Sequence, residues 1–132
     1  MTPDLMWLTL TALMTALFWI PYILNRVAVR GLMGAMANPS SDDAPHADWA
    51  ERAIKAHRNA VENLVVFAPL VIIAAVTGMS TPGIATAAMI FFFARLAHFL
   101  IFVFGIPVLR TLSFAVGWFA TIYVALVLLG VM

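Results

Sequence analysis

Charged side chains are confined to a few short stretches of this chain, and long uncharged runs lie between them. Residues 5–25 carry no charge and supply the ~20 mainly apolar residues that a helix needs to cross a bilayer. The uncharged run 63–94 is too long for one span, and turn residues and helix breakers at 77–83 divide it. The pattern therefore predicts an all-α membrane protein, a bundle of four transmembrane helices. Their predicted bounds are about 5–25, 49–77, 82–104 and 108–131.

One long polar loop, at about residues 31–48, connects the first two predicted spans. It is rich in Gly, Pro, Asn, Ser and Asp, which favour turns and loops. It ends in Asp48-Trp49-Ala50-Glu51, an acidic variant of the capping box that begins a helix. Five of the seven Lys and Arg residues lie between the first span and the apolar part of the second: Arg26, Arg30, Arg52, Lys55 and Arg58. The positive-inside rule therefore predicts that this loop is cytoplasmic and that both termini face outward.

Composition agrees with a membrane protein and excludes several other classes. The chain has 132 residues, of which 64% are hydrophobic and 10% are charged, whereas a water-soluble domain is about half apolar and a quarter charged. This length predicts a single domain over residues 1–132. The chain has no cysteine, which excludes disulfides, thiolate metal sites and cysteine nucleophiles. A net charge of +1 without a basic run gives no reason to expect a nucleic-acid partner.

The second predicted helix carries polar residues that a membrane span normally lacks. Its purely apolar part, 64–76, is too short to cross a bilayer, so the helix must also take in Arg58, Asn59 and Glu62. Helical spacing places five polar residues on one side of the helix, within roughly 120°. They are Arg52, Lys55, Arg58, Asn59 and Glu62. The plain alternative is a solvated start of the helix with local ion pairs such as Arg58–Glu62.

The third predicted helix carries Arg95 and His98 between apolar runs. A central arginine costs ~2.5–3.5 kcal/mol on insertion scales, so it normally faces a bundle interior or a wet cavity. When residues are counted along their helices, Arg95 lies in the cytoplasmic half of the membrane. Four further polar residues lie in the same half: Arg58, Asn59, Glu62 and Arg110. Polar residues of three helices are therefore predicted to converge at one depth. The alternative is a structural clamp, in which Arg95 pairs with Glu62 and His98 bonds a backbone carbonyl.

These residues leave an excess of positive charge, because only Glu62 opposes several arginines and a lysine. A cationic pocket inside a membrane is costly unless an anion fills it. A small molecule with two carboxylates and an amine suits such a pocket. Arginines bind carboxylates through forked hydrogen bonds, and Glu62 can bind the ammonium. Glutathione fits this description, and a neighbouring guanidinium favours the thiolate form of its sulfur.

The run 51–63 reads Glu-Arg-Ala-Ile-Lys-Ala-His-Arg-Asn-Ala-Val-Glu-Asn and closely resembles the signature of the MAPEG superfamily, with Lys55 in place of one arginine. MAPEG denotes the membrane-associated proteins of eicosanoid and glutathione metabolism, which include the microsomal glutathione transferases. Three further motifs agree in order and spacing, and the resemblance covers essentially the whole chain. They are Arg30 followed by Ala37-Asn38-Pro39, then Arg95-Leu96-Ala97-His98, then Pro107 with Arg110-Thr111.

The resemblance implies a four-helix protomer that assembles as a homotrimer, with the cofactor glutathione between neighbouring subunits. Six positions match residues that contact glutathione in the family: Arg30, Arg58, Asn59, Glu62, Arg95 and His98. Arg110 matches the arginine that stabilises the thiolate, so it is the expected catalytic residue. Arg52 matches a motif position with a supporting role. Phe102 stands where members of the eicosanoid pathways have a tyrosine, so one hydroxyl contact to glutathione or its thiol is missing here.

The expected function is that of a glutathione transferase or a glutathione-dependent peroxidase that acts on lipophilic electrophiles or hydroperoxides arriving from the membrane lipid. The compact chain without an ER-retention signal favours a bacterial inner membrane. The alternative is a non-catalytic homologue that serves as a structural or accessory membrane subunit, which Phe102 supports. A small four-helix multidrug exporter is disfavoured because the first span has no carboxylate. Haem ligation is disfavoured because His57 and His98 share no evident face.

Overall fold

A computed structural model describes all residues, 1–132, and contains five α-helices and no strand. The helices are α1 (Pro3–Leu17), α2 (Trp19–Met36), α3 (Asp48–Val76), α4 (Pro82–Val103) and α5 (Pro107–Leu128). Four segments are long and apolar enough to cross a membrane, namely α1 with α2, then α3, α4 and α5. The predicted all-α architecture with four such segments is confirmed.

The first of these segments is not one regular helix, because α1 and α2 meet at a break at Phe18. The break lies one turn before Pro21. Pro21 has no N–H to donate to the carbonyl of Leu17, and its ring crowds that carbonyl. The proline therefore divides the first segment into two helices.

The long loop is shorter than predicted, because α2 continues to Met36 and leaves only residues 37–47 outside a helix. Gly31 nevertheless interrupts α2, with φ of 72° and ψ of 166°. A positive φ is strained for residues with a Cβ but not for glycine. The predicted start of the loop at residue 31 therefore coincides with a kink rather than with the end of helical structure.

The predicted capping box at the start of α3 does not form, because Asp48 and Glu51 do not cap the helix. Ala47 is the N-cap residue, and no side chain caps the helix. Glu51 Oε1 lies 2.9 Å from Nδ1 of His46, and Arg26 Nε donates to Nε2 of the same ring at 3.1 Å. Because Nε2 accepts this bond, Nδ1 carries the hydrogen and donates to Glu51. The start of α3 is thus tied to α2 through the loop.

Two apolar clusters fill the bundle, one on each side of its middle. The hairpin-side cluster, near the α3–α4 turn, contains Phe67 and Phe91, whose stacked ring centroids are 3.9 Å apart. The loop-side cluster, near the long loop, contains Phe18 and Phe99, whose ring centroids are also 3.9 Å apart. Helix α4 contacts α1, α3 and α5, and its buried residues extend from Ile84 to Phe99. The middle of α4 therefore lies in the interior, between the two clusters.

Polar contacts tie the helix ends together at both faces of the bundle. At one face, Ser80 Oγ donates to Asp4 Oδ2 at 2.6 Å and joins the start of α1 to the α3–α4 turn. At the other face, Arg52 Nε donates to the carbonyl of Val103 at 2.9 Å, near the end of α4. The α4–α5 turn therefore lies at the face of the long loop, and the α3–α4 turn lies at the face of the N-terminus. Which face is cytoplasmic stays a prediction.

Candidate functional site

Arg95 lies in the middle of α4 and is only 2% exposed, so the prediction that it faces the bundle interior is confirmed. Its Nη2 donates to Asn59 Oδ1 on α3 and lies 3.4 Å from Nδ1 of His98. Its Nε and Nη1 have no hydrogen-bond partner in the chain. Gly117 of α5 packs beside this side chain, since an added Cβ there would lie 3.6 Å from Arg95 Cδ.

The alternative of a structural clamp between Arg95 and Glu62 is wrong. Arg95 bonds Asn59 rather than Glu62, and the Nδ1 atom of His98 faces Arg95 rather than a backbone carbonyl. Asn59 lies almost one helical turn before Glu62 and therefore on a neighbouring face of α3. Whether Arg95 meets Asn59 or Glu62 depends on a small rotation of α3 about its axis. The sequence pattern does not specify that rotation.

A cavity of about 200 Å³ opens beside this buried arginine, and α3, α4 and α5 all contribute to its walls. Its lining residues are Asn59, His98, Phe102, Arg110, Thr111 and Phe114. His98 follows Arg95 by one turn of α4, and Arg110 lies in the first turn of α5. The predicted convergence is confirmed for Asn59, His98 and Arg110, which come from three helices, but Arg58 and Glu62 do not line this cavity.

Arg110 is half-buried at the wall of the cavity and has no carboxylate partner in the chain. Its guanidinium carbon lies 4.6 Å from the centroid of the Phe102 ring. A guanidinium over an aromatic face is attracted by the ring quadrupole. The cavity thus carries a cation that is held by an aromatic ring and whose charge no acidic side chain neutralises.

Arg58 and Glu62 lie outside the cavity, and both are exposed on the surface of α3. The predicted ion pair between them is wrong, because the ion pairs of the chain are Arg30–Asp43 and His46–Glu51. Glu62 lies about 21 Å along the helix axis from Val76, within the ~30 Å thickness of a hydrocarbon core. This exposed carboxylate has no ion-pair partner in the chain.

Arg30 and Arg52 are both engaged away from the cavity. Arg30 Nε donates to the carbonyl of Ala44 at 2.8 Å, and its Nη1 lies 3.6 Å from Asp43 Oδ2. Arg30 therefore holds the loop 37–47 in place. Arg52 bonds the end of α4, as described above, which agrees with the supporting role expected for it.

Sequence reasoning missed Phe114 and Thr111 as residues of the cavity wall. Phe114 lies four residues after Arg110, and residues at this spacing share a helix face. That spacing is the signal that could have found it. Thr111 had been noted only as part of a motif.

A larger groove of about 560 Å³ lies elsewhere, between α4 and α5 in the hairpin-side half. Ile90, Val116 and Tyr123 are among its lining residues, and none of its lining residues belongs to the cavity. The groove contains no charged residue, and its polar side chains are the hydroxyls of Thr86 and Tyr123. The smaller cavity beside Arg110 is therefore the candidate site.

Comparison with family models decides the identity of the chain. The model of the MAPEG family matches residues 5–130. The chain belongs to the MAPEG family. The resemblance inferred from the four motifs is thereby confirmed. A comparison with curated proteins finds no match.

Membership in the MAPEG family, together with four helices suited to cross a bilayer, makes the chain an integral membrane protein. The family includes glutathione-related enzymes and also non-catalytic members. The reaction of a MAPEG protein therefore depends on the residues of its site, which here line the cavity beside Arg110.

Proposed function

We propose that this MAPEG protein binds glutathione and catalyses its transfer to lipophilic electrophiles or its use in reducing lipophilic hydroperoxides. The observation that carries the proposal is Arg110, a cation at the cavity without a carboxylate partner in the chain. An uncompensated cation inside a membrane favours an anionic ligand, and a thiolate is such an anion.

The cavity is too small to enclose the whole of glutathione. At about 200 Å³ the cavity is smaller than the ~300–1,000 Å³ of most small-molecule sites. It has room for the thiol end of the tripeptide, and the two carboxylates and the ammonium must then extend along the protein surface. Arg58 and Glu62, exposed on α3 without partners in the chain, carry the complementary charges. The residues present therefore fit glutathione.

This fit also supports a homotrimer. A neighbouring subunit packed on α3 would cover Arg58 and Glu62 and complete the walls of a site that one protomer leaves open. Native mass spectrometry in mild detergent should find three copies. A monodisperse monomer would contradict the proposed assembly.

Bound glutathione supplies the sulfur nucleophile, and the protein supplies its position and its charge state. The N–H groups of Arg110 stabilise negative charge on the sulfur, which is electrostatic stabilisation by a preorganised cation. Asn59 and His98 line the same cavity and orient the ligand. Arg95 is too buried to reach a ligand at the surface, so it acts by holding Asn59 and His98.

The lipophilic partner reaches the site from the surrounding membrane lipid, and the rings of Phe102 and Phe114 keep this side of the cavity apolar. In conjugation the sulfur forms a bond to carbon while a leaving group departs with its electron pair. We place the protein in the bacterial inner membrane, with the long loop in the cytoplasm where glutathione is made available.

Calorimetric titration of the detergent-purified protein with glutathione, followed by ultraviolet absorbance of the thiolate, tests the proposal. Wild type should bind glutathione and form thiolate, and it should conjugate a chlorinated nitrobenzene with release of chloride. Arg110→Ala should retain most of the affinity but lose thiolate absorbance and turnover, since it removes an interaction at the reacting centre.

Arg26→Gln is the matched control, because Arg26 bonds His46 in the loop region and lies outside the cavity. It should retain both affinity and thiolate absorbance. Full absorbance and activity in Arg110→Ala would show that the role given to Arg110 is wrong.

A second candidate function is that of a non-catalytic accessory subunit. The observation in its favour is Phe102, which lines the cavity without the hydroxyl of a tyrosine. A wild-type protein that neither binds glutathione nor forms thiolate, and that co-purifies with a larger membrane complex, would establish this function instead.

A further inference from the structure

Phe102 departs from the tyrosine that members of the eicosanoid pathways have at this position, and its contact with Arg110 indicates a role for it. We propose that the Phe102 ring is a positioning residue, which holds the Arg110 guanidinium at the cavity so that its charge stays available to a bound anion. This inference rests on the proposed function, in which that anion is the glutathione thiolate.

The geometry of the ring supports this role. The Arg110 guanidinium carbon lies 4.6 Å from the ring centroid, within the ~6 Å range of cation–π attraction. The same ring meets His98 edge-on, with centroids 5.6 Å apart and an interplanar angle of 78°. Phe102 also packs against the loop-side cluster. One ring thus touches the two ionisable residues of the cavity wall and is itself anchored in the core.

An aromatic ring holds an arginine differently from a carboxylate. A carboxylate would neutralise the guanidinium and occupy its N–H donors through a bidentate pair. The face of a phenylalanine attracts the cation through its quadrupole and adds no negative charge. Arg110 has no ion pair in the chain, so the ring contact is the attraction that the structure provides for its charge. The cation is therefore oriented without being neutralised.

This role changes the meaning of the substitution of phenylalanine for tyrosine at position 102. The sequence alone predicts a lost hydroxyl contact, but the ring face that Arg110 meets is present in both residue types. Phe102→Tyr should therefore preserve the position of Arg110, whereas Phe102→Leu should release it. The ring, and not the hydroxyl, is then what the site requires at this position.

The first test needs no ligand and uses nuclear magnetic resonance of the Arg110 side chain. A guanidinium and its Cδ methylene above a ring face show upfield, ring-current-shifted signals. These shifts should be present in wild type and Phe102→Tyr and absent in Phe102→Leu. Phe104→Leu is the matched control, because Phe104 is 75% exposed and lies near the same end of α4. Arg110 signals that are identical in wild type and Phe102→Leu would overturn the inference.

The second test measures the thiolate. Phe102→Leu should move the midpoint of thiolate formation with bound glutathione to higher pH and lower the ionisation constant of the bound thiol by roughly 2- to 30-fold, the range that a cation–π contact contributes. Phe102→Tyr and Phe104→Leu should leave both quantities near wild type. Unchanged thiolate formation in a folded Phe102→Leu protein that binds glutathione would overturn the inference.

A series of fluorinated phenylalanines at position 102 covers the case in which Phe102→Leu does not fold. Fluorine keeps the shape of the ring but weakens its negative face, so thiolate formation should decline stepwise with the number of fluorines. A flat series would overturn the inference. A wild-type protein that binds no glutathione would refute the proposed function alone, because the ligand-free resonance test still decides whether the ring positions Arg110.

Discussion

The two halves of the helix bundle use the same three helices in opposite ways. In the hairpin-side half, α3, α4 and α5 pack on one another through Phe67, Phe91 and small alanines. The interior there is mainly apolar, and the buried hydroxyl of Thr121 donates to the carbonyl of Gly117 within its own helix. In the loop-side half, the same helices enclose Arg95, leave two of its nitrogen atoms without partners, and open a cavity beside Arg110.

This contrast separates stability from ligand binding. Between membrane helices, lipid is as apolar as a protein core, so close packing and internal hydrogen bonds hold the helices together. The hairpin-side half has both close packing and few polar groups to satisfy. The loop-side half carries a buried cation, Arg95, that the chain does not fully satisfy, and a second cation, Arg110, whose charge a bound anion would neutralise at the cavity. We therefore expect substitutions in the two halves to affect different measurements.

The largest effect is expected in the hairpin-side half. Phe67 is fully buried and stacks on Phe91, so Phe67→Ala should lower the free energy of unfolding by ~3–5 kcal/mol. Unfolding in mixed detergent, followed by circular dichroism, measures this. Phe119→Ala is the control, because Phe119 is 64% exposed, and its effect should be much smaller. If both variants lower the free energy of unfolding equally, the hairpin-side cluster does not have the stabilising role proposed for it.

The next largest effect is expected on binding alone. Glu62→Ala should weaken glutathione binding by ~2–5 kcal/mol, because it removes the partner of the ligand's ammonium and leaves that charge unpaired in the complex. The free energy of unfolding should stay near wild type, since Glu62 is exposed and has no partner in its protomer. Asp42→Asn, in the exposed loop, serves as the control for lost negative charge. If Glu62→Ala binds glutathione with unaltered affinity by calorimetry, the role of Glu62 and of the loop-side half in ligand binding is wrong.

A third experiment tests the cost of the buried cation. Asn59→Ala removes the acceptor of the Arg95 bond and should lower the free energy of unfolding by ~1.5–3 kcal/mol, the range for bonds to charged groups. The double variant Arg95→Met with Asn59→Leu should recover that loss, because apolar residues often replace a buried charge without penalty. The same double variant should bind glutathione poorly. Loss of stability that the double variant does not recover would show that Arg95 stabilises the fold.

The smallest effect is expected at the start of α4. Thr81 Oγ1 accepts the N–H of Ile84 at 3.1 Å, so Thr81→Ala should cost about 1 kcal/mol of unfolding free energy. Affinity for glutathione should not change, because the cap lies at the opposite end of α4 from His98. Thr9→Ala, at an exposed threonine within α1, is the control. A change in the affinity of Thr81→Ala for glutathione would show that the two halves of the bundle are coupled, which contradicts their separate roles.

Much of the fold could be predicted because a bilayer imposes strict rules on a sequence. A helix needs about 20 apolar residues to cross it, and every charge inside it is costly, so the uncharged runs located the four spans. The same rules singled out Arg95 and His98 as interior residues before any contact was known. The residues that resemble MAPEG motifs likewise predicted the family that the comparison then showed.

The tertiary structure decided which polar residues meet. Asn59 rather than Glu62 bonds Arg95, Arg30 bonds the loop, and Arg110 lies over Phe102. These outcomes depend on the rotation of each helix about its axis and on the side-chain conformations that packing allows. The hydropathy pattern indicates how deep a residue lies in the membrane. It specifies neither the rotation of a helix about its axis nor the conformation of a side chain. The sequence by itself therefore determined the spans and the depth of the charges, and the packing of α3, α4 and α5 determined the site.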